Sequence, residues 1–299
     1  MVIRFQQFEE LYPFKARSLN LESLRYTFLD EGQGEVLLML HGNPTWSFYY
    51  RNLVLGLRDQ YRCVVPDHIG CGFSEKPFQY NYTLSQHIDN LEALVDSLQL
   101  KNITLVLHDW GGAIGMGFAV RHPEKVARII VFNTAAFLSD HIPASINFCR
   151  LPVLGPIAIL LFNAFVRGAF ARACVHKDRL TAQVREGYLA PYNTYPNRIG
   201  ILRFIQDIPM NPRVPSYPVV KSIQENLSQF QDRPMMIVWG KQDFCFNDHF
   251  LNRWKEYFPS AEVHEVEDAG HYVVEDAYER IVPWMQEFLK KHPLRGRKI

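Results

Sequence analysis

The chain has 299 residues, enough for one large α/β domain with an insertion or for two small domains. Hydrophobic residues make up 47% of it and the formal net charge is +1, so it carries no overall electrostatic footprint for nucleic acid or an anionic membrane, and small or apolar ligands are expected. The five cysteines, Cys63, Cys71, Cys149, Cys174 and Cys245, are scattered and never in CxxC spacing, which argues against a disulfide framework or a zinc site.

The opening MVIRFQQFEELYPF lacks the charged start, apolar centre and small-residue cleavage site of a signal peptide, so the expectation is a cytoplasmic protein. The apolar runs EVLLMLHG (35–42), RCVVPD (62–67), ITLVLHD (103–109) and ARIIVFNT (127–134) read as strands of a parallel sheet covered on both faces. Between them, Thr83-Leu84-Ser85-Gln86 has the form of a capping box, and Leu84, Ile88, Leu91, Leu94, Val95 and Leu98 follow helical spacing. From 136 to 230 the alternation fails. That segment holds the stretch VLGPIAILLFNAFV (153–166), too short to span a bilayer and interrupted by Pro156 and Asn163, which reads as a buried or interfacial element. The pattern resumes with PMMIVWG (234–240), a helix around Phe250–Tyr257, EVHEVED (262–268) and a last helix through Trp284–Lys290; the basic end LRGRKI (294–299) reads as a solvated terminus. The predicted architecture is a doubly wound, mostly parallel sheet built from 1–135 and 231–299, with 136–230 as a helical lid at its carboxyl edge.

Three strand exits carry the candidate chemistry. ITLVLHD ends in Asp109, followed by Trp110 and the helix-opening Gly111-Gly112. A tight strand-to-helix turn presents one side chain beside backbone N–H groups and a helix N-terminus. Alone, Asp109 serves equally as helix cap or nucleophile. A carboxylate nucleophile needs an acid/base partner, and that partner an orienting acid. Asp243 follows PMMIVWG, and His271 follows EVHEVED. The order nucleophile, acid, histidine is that of α/β-hydrolase triads. After EVLLMLHG comes Asn43, in the loop that supplies one oxyanion-hole N–H, while the residue after the nucleophile, Trp110, supplies the other.

The strings HGNPTWSFYYRN, PDHIGCGFSEKP, VLHDWGG and DAGHYVVEDA resemble the haloalkane dehalogenase branch of the α/β-hydrolase superfamily over nearly the whole chain. The resemblance implies that Asp109 is the nucleophile, that Asn43 and Trp110 hold the departing anion, and that His271 activates water. One subfamily carries its acid after the preceding strand, where this chain has Asn133-Thr134, so Asp243 takes that role. The strings NTAAF (133–137), FNAFVRGAF (162–170), YLAPYNTYPNRIGILRFIQDIP (188–209) and GKQDFCF (240–246) are most similar to the β-lactone decarboxylases of bacterial long-chain olefin biosynthesis, which convert cis-3,4-dialkyl-oxetan-2-ones to cis-alkenes and CO2.

That resemblance implies a cofactor-independent lyase with no metal. It also implies a long-chain dialkyl β-lactone as substrate, and assembly with the upstream β-lactone-forming and other olefin-biosynthesis enzymes, through which the protein would reach a membrane. Asp109 has two electrophilic sites open to it. Attack at the ring carbon bearing oxygen, followed by anti-elimination of CO2, keeps the cis geometry; attack at the carbonyl gives a mixed anhydride whose breakdown protonated His271 assists. Phe165, Phe170 and Phe204 are expected to line a tunnel for the alkyl tails, and Arg198 and Arg203 to pair with acids near Asp207. Three further readings are a haloalkane dehalogenase using the same five residues, an epoxide hydrolase using Tyr188, Tyr192 or Tyr195, and a non-catalytic lipid- or partner-binding scaffold.

Overall fold

The computed structural model describes residues 8–294; the start of the chain before Phe8 and the basic end past Leu294 lie outside them. Eight strands form one sheet: β1 (Arg17–Leu21), β2 (Leu24–Glu31), β3 (Glu35–Leu40), β4 (Tyr61–Pro66), β5 (Ile103–Asp109), β6 (Val126–Thr134), β7 (Met235–Gly240) and β8 (Glu262–Val266). Their order is β1-β2-β4-β3-β5-β6-β7-β8, with β2 antiparallel to both β1 and β4 and the remaining pairs parallel. The continuous apolar runs became the central strands because helices cover both faces, leaving no polar side for alternation to mark. On one face lie α1 (Arg51–Leu57) and the last helix; on the other lie α2 (Leu84–Ser97) and α3 (Trp110–Arg121).

The hairpin β1–β2 has no counterpart among the expected strands. β1 is mostly exposed and five residues long, and so short and polar a run gives almost no period-two signal. In α2 the Thr83 hydroxyl accepts from the Gln86 N–H at 3.4 Å, but the Gln86 side chain turns to Asn90, so half of the expected capping box forms. The buried Leu84, Ile88, Leu91, Leu94 and Val95 hold the helix to the sheet, at about 1.5–3 kcal/mol for each fully buried side chain.

Between β6 and β7 the chain forms α4 (Ala144–Cys149), α5 (Leu154–Pro156, running into a π turn Ile157–Leu161), α6 (Ala164–Arg172), α7 (Ala182–Leu189), α8 (Ile199–Gln206) and α9 (Ser216–Asn226). α9 packs against α2 and α3 on the flank of the sheet, so the cover over the strand ends comes from the helices before it. Among the described residues no single helix is long and apolar enough to cross a membrane. After β7 come α10 (Asp248–Tyr257) and, past β8, α11 (Val273–Lys291).

The chain runs from β3 outward to β4, then returns to place β5 on the other side of β3. The connections leaving β3 and β5 therefore diverge, which opens a crevice at their carboxyl ends. Asn43 stands just past the end of β3 and Asp109 at the end of β5.

Candidate active site

Asp109 has φ 49° and ψ −124°, a strained backbone for a residue with a Cβ, costing on the order of 1–3 kcal/mol. The surroundings hold it there. The Thr134 hydroxyl donates to the Asp109 carbonyl, and the Asn43 N–H donates to Asp109 Oδ1 at 2.7 Å. Gly42 and Gly111 allow the approach: a Cβ at Gly42 would sit 2.0 Å from Asp109 Oδ1, and one at Gly111 1.9 Å from the Leu40 carbonyl oxygen. The side chain therefore projects from the turn towards the crevice rather than capping α3, with which it makes no capping hydrogen bond.

His271 Nδ1 donates to Asp243 Oδ2 at 2.8 Å, and Asp243 Oδ1 accepts from the Cys245 N–H at 2.6 Å. Both carboxylate oxygens are thus committed, which fixes the imidazole's orientation and turns Nε2 towards Asp109. Nε2 lies 3.9 Å from Asp109 Oδ2, beyond hydrogen-bonding distance, so the two do not bond directly and both face the cavity. Burial pushes the Asp109 carboxyl above its ordinary range, and the attraction of His271 and the N–H groups of Asn43 and Trp110 recover only part of the shift. Burial opposes the His271 charge, but Asp243 and Asp109 together outweigh it and hold the imidazolium pKa above its ordinary value.

The loop carrying His271 is fastened from three sides. His108, at the position before the nucleophile, donates Nε2–H to the His271 carbonyl at 2.8 Å; burial keeps its ring neutral. Asp276 accepts from the Gly270 N–H at 2.8 Å and from the N–H groups of Val175 and His176 in the cover. Asn133 bonds both the N–H and the carbonyl of Gly240, bracing the strand end that leads to Asp243.

Asn43 and Trp110 stand side by side in the wall of a cavity of about 240 Å3, whose floor is Asp109 and His271. One Asn43 Nδ2–H donates to the Ile201 carbonyl in α8 at 3.2 Å; its second N–H and the Trp110 indole N–H have no acceptor among the described residues. Two uncommitted donors beside a carboxylate form a seat for an anion or an oxygen that gains negative charge.

A model of the α/β hydrolase fold matches residues 35–149 and 180–278. The cis-3-alkyl-4-alkyloxetan-2-one decarboxylase of Shewanella oneidensis is 47% identical, over 94% of this chain and 90% of its own length. The enzyme of the same name from Xanthomonas campestris is 42% identical, over 95% and 98%. This chain belongs to the α/β-hydrolase family. Within the family it lies in the dehalogenase-like branch: haloalkane dehalogenase 2 of Mycobacterium tuberculosis is 31% identical over 94% of this chain and 97% of its own length, and the crystal structure of the haloalkane dehalogenase DatA from Agrobacterium tumefaciens superposes with a TM-score of 0.84 at 25% identity, covering 93% of this chain and 97% of that one.

The α/β-hydrolase cavity departs from the expected tunnel. Phe165 stands in its wall, but Phe170 and Phe204 do not. Phe170 is buried 6.2 Å from the Tyr188 ring. Phe204 stacks on His87 at 4.4 Å and faces Trp110 at 5.3 Å, backing the anion seat from behind. On a short amphipathic helix, spacing alone does not separate the side facing a cavity from the side facing core. Its apolar wall instead includes Ile146, Ile205, Ile208, Val220, Phe244 and Phe246.

Arg198 and Arg203 do not pair with acids among the described residues. Arg198 donates to the carbonyls of Leu160, Leu161 and Tyr192, Arg203 meets Gln206, and Asp207 accepts from the Leu84 N–H and the Ser216 hydroxyl. The tyrosines needed for epoxide opening point elsewhere. Tyr188 donates to Glu275 at 2.6 Å, Tyr192 to the Thr45 carbonyl at 3.3 Å, and Tyr195 is exposed.

Sequence reasoning missed the buried pair Arg51–Glu275, joined by two hydrogen bonds and by Tyr188 from the cover. It also missed the fastening role of Asp276. Adjacent acids at the start of a helix look like ordinary dipole partners, and only the fold buries these two.

Proposed function

We propose that this protein is a cofactor-independent carboxy-lyase that converts cis-3,4-dialkyl-oxetan-2-ones to cis-alkenes and CO2. Residues 1–135 and 231–299 would form the catalytic core and 136–230 the cover. The observation that carries the reading is the pairing of Asp109, held by the Asn43 N–H, with two uncommitted donors at the floor of an apolar cavity. The 47% identity to a decarboxylase of this class supports the substrate.

With Oδ1 gripped by Asn43, Oδ2 is the attacking atom. It displaces the ring oxygen from the carbon that bears it, with inversion, and the freed substrate carboxylate is received by Asn43 Nδ2–H and Trp110 Nε1–H. The C–C bond to that carboxylate then breaks as CO2 departs, its electrons form the alkene, and the Asp109 C–O bond opens on the opposite face. Inversion followed by anti-elimination preserves the cis geometry. Asp109 returns unchanged and no water is consumed. His271, favoured as imidazolium, balances the charge that returns to Asp109. Assembly with the enzyme that supplies the lactone belongs to the same reading.

Gas chromatography of the products from a cis-dialkyl β-lactone tests the proposal: alkene and CO2 in equal amounts are expected, and 3-hydroxy acid as the sole product refutes it. Halide release from 1-bromoalkanes is the parallel assay. His271 and Asp109 both line the cavity and do not bond each other directly, so a water beside them can be activated by His271 and slow dehalogenation is compatible with the site.

A further inference from the structure

The net charge of +1 conceals a segment of very different character. Seven of the nine large apolar side chains exposed among the described residues lie within 148–162: Phe148, Leu151, Val153, Leu154, Ile157, Leu161 and Phe162, with Val153 and Phe162 each 67% exposed. A contiguous apolar surface of this kind marks a binding face. Between Asp140 and Asp178 the sequence has no Asp or Glu, yet it carries Arg150, Arg167, Arg172 and Lys177. None of these four forms an ion pair with a carboxylate among the described residues; Arg172 bonds the Ser145 hydroxyl and Lys177 bonds the Phe170, Ala171 and Cys174 carbonyls at and just past the end of α6.

The shape is fixed rather than loose. The π turn ends at Leu161-Phe162, and Asn163, in the left-handed region with φ 52°, redirects the chain into α6 so that the two helical pieces meet at 82°. Arg198 donates to the Leu160 and Leu161 carbonyls left open at that end, and Asn163 is anchored to the Tyr192 carbonyl. The apolar tip is thus held outward from beneath by polar contacts. The same helices border the cavity: Ser145, Ala164, Gly168 and Arg172 line it and are exposed, so its mouth opens between α4 and α6, beside the tip.

We propose that residues 148–162 form a lipid-docking face that rests in the headgroup layer of an anionic membrane and presents the cavity mouth to the bilayer. The bend rules out a straight span and suits an element lying at the interface. Arg150 within the segment and Arg167 near the start of α6, both without a carboxylate partner among the described residues, give the apolar tip cations that match a negatively charged lipid surface. That a long-chain substrate leaves the bilayer through this mouth rests on the decarboxylase reading; the docking itself does not.

The full chain, without substrate, is sedimented with vesicles of phosphatidylcholine alone or mixed with phosphatidylglycerol. Wild type is expected to bind the mixed vesicles and to bind pure phosphatidylcholine more weakly. The combined variant Val153→Ser, Leu161→Ser, Phe162→Ser should lose roughly tenfold or more in partitioning, while keeping its Tm and its kcat/KM on a short-chain, water-soluble β-lactone. The single variant Phe162→Trp should show, relative to wild type, a blue shift in emission when mixed vesicles are added. Wild type remaining in the supernatant, equal binding by the triple variant, or an emission from the Phe162→Trp variant that vesicles leave unshifted overturns the proposal. So does a wild-type dimer that the triple variant makes monomeric, since a second copy would then be the occupant.

Discussion

The strand-end loops and the cover helices solve opposite problems with the same chain. Around Asp109, Asp243 and His271 every approach is fixed: glycines admit backbone at contact distance, Asp243 spends both oxygens, and Asp276 ties the histidine loop to the cover. The cover between α4 and α6 is made of short helices, a π turn and outward-facing apolar side chains. On the proposed function, the chemistry falls to the rigid strand-end elements, while access and tail binding would fall to the cover. If this division is right, substitutions in the two regions should fail in different ways.

The largest effect belongs to Asp109→Asn, which should lower alkene release by roughly 10^4-fold or more while circular dichroism shows an intact fold. It should also raise Tm at neutral pH. Burial lifts the Asp109 carboxyl pKa in the folded state, so the folded protein binds this proton more tightly than the unfolded one. The resulting stabilisation is present below the ordinary carboxyl range and is lost as pH rises through the lifted value, leaving a buried charge that the amide relieves. By the same shift, wild-type turnover should fall on the acid side as the nucleophile protonates, with a midpoint above the ordinary aspartate range.

Asp243→Asn should cost roughly 10^2–10^4-fold in kcat with little change in KM, because the imidazole loses its orienting charge but the cavity is unchanged. Glu275→Ala tests a connection between the regions. It strands Arg51 without its carboxylate and frees Tyr188, and should destabilise the protein by about 3–5 kcal/mol in urea unfolding. The smallest and most discriminating pair is Phe170→Ala against Phe165→Ala. The buried Phe170 should cost about 3–5 kcal/mol of stability and leave kcat nearly unchanged, whereas Phe165, in the cavity wall, should raise KM for long-chain substrate several-fold with Tm nearly constant.

How much of this was legible in the sequence follows the same division. The central strands announced themselves as apolar runs, and Asp109, Asp243 and His271 could be picked out because each stands just past one of them. Asn43 and Trp110 followed from their positions after β3 and after the elbow. The pair β1–β2, the half-made capping box and the buried role of Glu275 were not legible, since each depends on which side of a short element the rest of the fold covers. Phe170 and Phe204 fell to the same ambiguity: an aromatic on an eight- or nine-residue helix looks alike whether it faces a ligand or a neighbour. The exposed tip at 148–162 was legible only in part: the apolar run 153–166 reads as a buried or an interfacial element, and only the fold shows that nothing covers it.

The central claim is that Asp109 acts as attacking and then leaving group without water. Its most direct test is turnover of a cis-dialkyl β-lactone in 18O-water, followed by mass measurement of the peptide containing Asp109 and of the products. Cis-alkene formed over many turnovers, with Asp109 at natural oxygen content, is the predicted result. Heavy oxygen in the Asp109 carboxylate, or in a hydroxy-acid product, would mean that water opens the intermediate and would contradict the account.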